Sequence, residues 1–186
     1  RARELGELGE RFLKRRQPGL EAQVANLADE IAYNNHDLDD GLRAGLLSLA
    51  QLESVPLVAR HLAVVRKTYR KLTPKQLRHE TIRRLISTLV TDLTDTTRAN
   101  LAAAAPADID GVRAQRKPLV AFSPRLRREA TALKRFLYRH MYRHDRVHRI
   151  TLSAHDVITR LFQDFFEQPR LMPAEHHKDA RKAERA

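Results

Sequence analysis

The sequence predicts an all-α fold, and three observations carry that expectation. Ala, Leu, Arg and Glu dominate a chain with only 6 Gly, 8 Pro and 5% aromatic residues, a composition of packed helices rather than sheets. Apolar residues recur at helical spacing, and prolines and capping residues cut the chain into helix-length pieces. With 186 residues, 42% of them hydrophobic, the chain is long enough to bury a core.

In order, residues 1–16 are charged with scattered Leu and Phe, and Gln17, Pro18 and Gly19 then break any helix. The first helix therefore begins near Leu20, with Leu20, Val24, Leu27, Ile31, Leu38 and Leu42 on one stripe, bent if at all at Asn34 and Asn35. A second covers Pro56 to Tyr69. Thr73, Pro74 and Gln76 form an N-cap, first-turn proline and capping-box pattern that opens a long helix to about Leu101. Residues 102–117, with Pro106 and Gly111, read as a loop. Ser123 and Pro124 start a further helix to about His144, and Ser153 with Asp156 caps a last one that ends before Pro169. The expected organisation is a charged lead-in over 1–19, a helical domain over 20–168, and a basic, disordered tail over 169–186.

Lys and Arg number 35 against 23 Asp and Glu, a formal charge of +12 and a pI near 10.7, which suits polyanionic partners, nucleic acid or nucleotides. No apolar run reaches the length of a membrane span and no signal peptide opens the chain. The absence of Cys excludes a disulfide framework or thiolate metal site, and together these features favour the cytoplasm. The chain starts at Arg1 rather than Met and reads as part of something longer.

The sharpest local anomaly lies at 17–42. That segment holds Glu21, Asp29, Glu30, Asp37, Asp39 and Asp40 and no Lys or Arg, where about five basic residues would match the chain-wide rate. On a helix at about 100° per residue, Asp29, Tyr33 and Asp37 fall on the side away from the Leu stripe. Ala22, Ala25, Asn26 and Ala32 surround them, small enough to admit close approach. A solvated acidic face and a ligand-facing surface both fit this pattern.

The string EAQVANLADEIAYNNHDLDDGL at 21–42 closely resembles the helix that follows the HD core in bacterial dGTPase-like, HD-domain deoxynucleoside triphosphate triphosphohydrolases. The likeness continues through RHETIRR at 78–84 and Thr91 with Asp92, and more loosely through LKRFLYRHMY at 133–142. It implies the multi-helical C-terminal part of such an enzyme, with the upstream His and His-Asp metal ligands absent. In that family a divalent cation, Mg or Mn in type, is held by a His, a His-Asp pair and a distant Asp, and dNTPs are hydrolysed to deoxynucleoside and triphosphate. The resemblance makes Asp29 the distant Asp, with Glu30 where many relatives carry a second Asp. It puts Tyr33 beside deoxyribose and phosphate, Asp37 on the 3′-hydroxyl, and Arg78 and His79 toward phosphate or base. It also implies a homo-oligomer, admits a nucleotide or nucleic-acid effector, and leaves this stretch inactive alone. A hard cation bound by carboxylate and imidazole that acidifies water suits this chemistry.

Three His-Asp pairs occur here, at His36, His144 and His155, but none precedes Asp29 by the long stretch the family shows. His140, His144 and His148 share a face if one helix continues through them, a spacing that can bind metal. Arg139, Arg143, Arg146 and Arg149 around them favour a basic, polyanion-facing surface instead. The alternative function is accordingly a basic helical nucleic-acid-binding or oligomerisation module built on Arg125 to Arg149, with Tyr138 and Tyr142 available for stacking.

Overall fold

A computed structural model describes residues 6–14 and 16–176, and their regular structure is all helical, with no strand among them. The described residues fall into two compact units, one ending at Met141 and the other beginning at Tyr142. Each is taken by itself below.

The first unit is organised by α2 (Leu20–Arg43), α4 (Pro56–Thr68), α5 (Pro74–Ala104) and α7 (Pro124–Leu137). They enclose a core of Leu38, Leu52, Leu57, Leu85, Leu133 and Leu137, each no more than 1% exposed. Leucine suits this role because it packs densely without a polar atom and keeps its rotamer freedom in a helix. Helices α2 and α5 run antiparallel. Asp39 near the end of α2 meets Arg78 near the start of α5, while residues 119 and 120 bridge Gln23 at the start of α2 and Asn100 near the end of α5. Between α4 and α7, Arg60 donates two bonds to the Glu129 carboxylate at 3.0 and 2.7 Å. The Arg60 guanidinium thereby holds Glu129 below the usual carboxylate range.

Several boundaries follow the sequence signals. The Thr73 hydroxyl accepts from the Gln76 amide and the Gln76 side chain accepts from the Thr73 amide, so α5 opens with its expected capping box. Ser123 caps α7 through the Leu126 amide, and its own amide donates at 2.8 Å to Asp92 on α5, which fixes where α7 begins. Other boundaries differ. Helix α1 (Gly6–Leu13) forms where only a charged lead-in was expected, and two short helices, α3 (Leu49–Leu52) and α6 (Ile109–Arg113), interrupt segments without assigned structure. Val24, expected in the core stripe, is 46% exposed. Its place is taken by Gln23, which is buried because its amide group bonds both Pro18 and Val120, a combination no hydrophobic pattern reveals.

After α7 the helix widens into a π turn, Tyr138–Tyr142, rather than continuing to His144. In the second unit α8 spans Asp145–Glu167 and is capped by His144, whose Nδ1 accepts from the Arg146 amide. Ser153 and Asp156 are therefore interior helix residues and not a cap. Short 3-10 turns follow at Pro169–Leu171 and Ala174–His176, and the tail beyond them, like residues 1–5, lies outside the described residues.

Gly41 sits inside α2, where a glycine ordinarily weakens a helix by roughly 1 kcal/mol relative to Ala. Here a Cβ would meet Leu47 Cδ1 at 2.6 Å and Met141 Sδ at 3.1 Å, so the chain after α2 can fold back only against a bare backbone. Its carbonyl also accepts from the Leu46 and Leu47 amides. Gly41→Ala is expected to destabilise the protein by about 1–3 kcal/mol despite its better helix propensity, as overpacking does. Urea unfolding monitored by circular dichroism measures this, and a more stable variant would contradict the packing described.

Candidate functional site

Of the three acidic and aromatic residues singled out on α2, Asp29 and Tyr33 face outward and Asp37 lies at the edge of the buried side. The buried side of the helix is made by Gln23, Ile31, Asn34, Asn35, Leu38 and Gly41. Asp29 lies half a turn from the centre of that side, at about 180° from Leu20 and Leu38 in helical projection. Tyr33 and Asp37 follow at successive steps of four residues, each about 40° further round and one turn further along. Asp29 and Ala32 are exposed, Tyr33 is 63% exposed and Asp37 is half-buried. Ala22, Ala25 and Asn26 are exposed on the same side.

Asp29 and its neighbour Glu30 have different surroundings. Glu30 receives Arg127 of α7 at 2.9 Å, an ion pair across 97 positions of sequence, whereas Asp29 has no ion pair or hydrogen bond among the described residues. Of the two adjacent carboxylates, Asp29 is thus the one left for something outside this chain's own packing. Among the described residues no group of three or more His, Asp or Glu is gathered in a way that could hold a metal ion. Asp29 could supply one ligand, and any cation there needs others from elsewhere.

Arg78 and His79 lie on the other flank of α2. Arg78 Nε is 2.7 Å from Asp39 Oδ1, an ion pair in which both side chains are largely buried, so Arg78 is tied to α2 itself. His79 lines a groove of about 350 Å³ between α2 and α5, together with Ala28, Ala32, Asn35, His36 and Ile86. The amide of Asn35 donates to the Ile31 carbonyl, while its Oδ1 is buried without a partner. The structure therefore brings His36, Asp39, Arg78 and His79 together and keeps Asp29 and Tyr33 apart from them. Sequence reasoning missed Asp39, Asn35 and Arg127, whose partners lie across helices.

The histidine face expected from His140, His144 and His148 does not form on one helix. His140 belongs to the π turn and packs on Phe136 with ring centroids 4.5 Å apart, His144 is a cap, and His148 lies within α8. In the basic stretch, Arg125 pairs with Glu129 and Arg127 with Glu30.

The described residues are all-α, as expected for the helical part of a phosphohydrolase. Residues 120–186 match the phosphohydrolase-associated domain. The chain is 53% identical over 178 residues to a deoxyguanosinetriphosphate triphosphohydrolase-like protein of Bordetella pertussis, covering 96% of this chain and 46% of that protein. Proteins of the same description from Ralstonia nicotianae and Thiobacillus denitrificans are 53% and 50% identical over 92% and 94% of this chain, which covers 44% and 46% of them. The chain belongs with the HD-domain, dGTPase-like proteins, and it spans about half the length of the curated relatives it matches. Among the described residues no helix is long and apolar enough to cross a membrane.

The Arg78 and Asp39 pair separates a structural role from a ligand-binding one. A double-mutant cycle with Arg78→Ala and Asp39→Ala should show a coupling of about 0.5–1 kcal/mol in unfolding free energy. Strictly additive losses would mean that the two side chains do not depend on each other and that Arg78 is held for another purpose.

Proposed function

We propose that this chain forms one wall of the active site of a metal-dependent dNTP triphosphohydrolase, with Asp29 as a ligand of the divalent cation. The carrying observation is that Asp29 stands outward on the central helix without a partner among the described residues while the adjacent Glu30 is engaged by Arg127. Support also comes from the description of the relatives as dGTP triphosphohydrolase-like and from the absence of any Lys or Arg over 17–42. The remaining ligands, by resemblance a His and a His-Asp pair, would come from residues outside this chain. A bound cation such as Mg or Mn would supply an acidified water and charge neutralisation at the phosphate.

The chain's own residues have three further roles in this reading. Tyr33, one turn beyond Asp29, would pack against the deoxyribose and orient it. Asp37, one turn further, would accept a hydrogen bond from the 3′-hydroxyl. His79, at the groove beside α2, would reach toward phosphate or base; Arg78 would hold α2 in place through Asp39 and so position those groups. With one ligand present, the 186-residue chain by itself would release no triphosphate.

Two measurements on the full-length protein test the reading. Asp29→Asn should leave the metal-free melting temperature unchanged or slightly raised, abolish the stabilisation given by Mn²⁺, and eliminate triphosphate release from dGTP. A variant that melts lower without metal yet keeps both Mn²⁺ stabilisation and turnover would remove Asp29 from the site. Asp37→Ala should cost about 1.5–3 kcal/mol in kcat/KM, as for a hydrogen bond to a charged group. The loss should shrink for a 3′-deoxy substrate, and equal losses for both substrates would exclude the sugar-reading role.

A further inference from the structure

His61 stands on α4 one turn after Leu57 and Val58 and beside Leu62, three core residues no more than 1% exposed. Its ring is half-buried, and its Nε2 is shielded from solvent without a hydrogen-bond partner among the described residues. A nitrogen that water cannot touch cannot be reached by an outside group either. The state of His61 Nε2 is therefore set by the packing of the first unit itself and not by whatever else surrounds that unit.

The charged groups that face His61 come from three helices: Arg60 on α4, Arg84 on α5 and Glu129 on α7. Glu129 is already taken by Arg60 at 3.0 and 2.7 Å and by Arg125 at 3.2 Å. Arg84 brings its own carboxylate, Glu80, which accepts from Arg84 at 2.7 Å and from Arg83 at 2.8 Å. Four arginines thus share two carboxylates, a local excess of positive charge. A second proton on His61 would add to that excess and turn the buried Nε2 into a donor with nothing to receive it. Burial, reinforced by Arg60 and Arg84, accordingly holds the imidazole below its ordinary value of 6.5.

We propose that His61 is an acid-sensitive catch: uncharged, it lets α4 seat against α5 and α7, and on taking a proton it loosens that seat. The opened chain takes the proton near pH 6.5, whereas the seated imidazole takes it only at lower pH. The stability that His61 contributes is complete above pH 6.5 and is lost as the pH falls from there toward the lower value of the seated ring. For one proton, opening becomes more favourable by up to about tenfold per pH unit. Glu129 and Glu80 do not titrate in this window, because their arginines hold both below the usual carboxylate range, Glu80 at about 2. The catch is independent of the role of Asp29.

Amide hydrogen exchange of α4 in the full-length protein tests this against His61→Phe, which keeps a ring but takes no proton. As the pH is lowered from 7 to 5.5, exchange in the wild type should rise several-fold relative to the variant at the same pH, and by no more than about tenfold per pH unit. Where His61→Phe does not fold, His61→Gln gives the same comparison, since it too lacks a titrating group. A ratio of wild type to variant that stays level over this range would overturn the proposal. NMR of the wild type supplies a second reading, with the His61 ring assigned through the backbone signals of Arg60 and Leu62. The ring should titrate below 6.5, and titration at or above 6.5 would overturn the proposal whatever the variants do.

Discussion

The first unit depends on how α2 is held by its polar residues. A helix that buried its carboxylates would need a cation for each, since desolvating an unpaired carboxylate costs several kcal/mol. The buried polar groups on α2 are instead neutral amides. Gln23 links the Pro18 carbonyl to the Val120 amide, and Asn35 donates to the Ile31 carbonyl. These groups fix the rotation of α2 about its axis, and that rotation turns Asp29 and Tyr33 outward. At the far end, Gly41 lets the chain double back over Leu47 and Met141 and clamps the same rotation.

From that constraint the candidate site follows. Arg127 takes Glu30 and Arg78 takes Asp39, so cations packed on both flanks of α2 neutralise its flanking acids. Asp29, between those flanks, receives none. A segment without its own Lys or Arg is therefore not simply acidic surface. Of its acids, Glu30 and Asp39 are engaged by cations of neighbouring helices while Asp29, among the described residues, is not, and that difference comes from long-range packing. Charge of the whole chain says little about this. Part of the excess of Arg is engaged in holding helices together, as Arg60 does on Glu129.

Much of the fold was legible because its signals are local. The all-α class, the start of α5 at Thr73 and the start of α7 at Ser123 rest on capping patterns and composition that act within four residues. The small helix α3 was not read, although Ser48 and Gln51 form a full capping box of the same local kind. Ser153 misled because a capping residue is only permissive: α8 runs without a break from Asp145 to Glu167, and its apolar periodicity outweighs a single hydroxyl. Val24 and Gln23 were exchanged because the partners of Gln23 lie elsewhere in the chain, at Pro18 and Val120. The outward direction of Asp29 was visible in the helical period, but its difference from Glu30 was not, since Arg127 is 97 positions away. The π turn at Tyr138, which separates three evenly spaced histidines, likewise had no signal in the spacing.

Binding of a divalent cation by the Asp29 carboxylate is the proposal on which the other assigned roles turn. Anomalous diffraction from crystals of the full-length protein grown with Mn²⁺ tests it most directly, because the metal is located without reference to activity. A Mn²⁺ peak is expected at roughly 2.0–2.3 Å from an Asp29 oxygen, with Glu30 still on Arg127. A fully occupied peak elsewhere, with Asp29 in solvent, would contradict it.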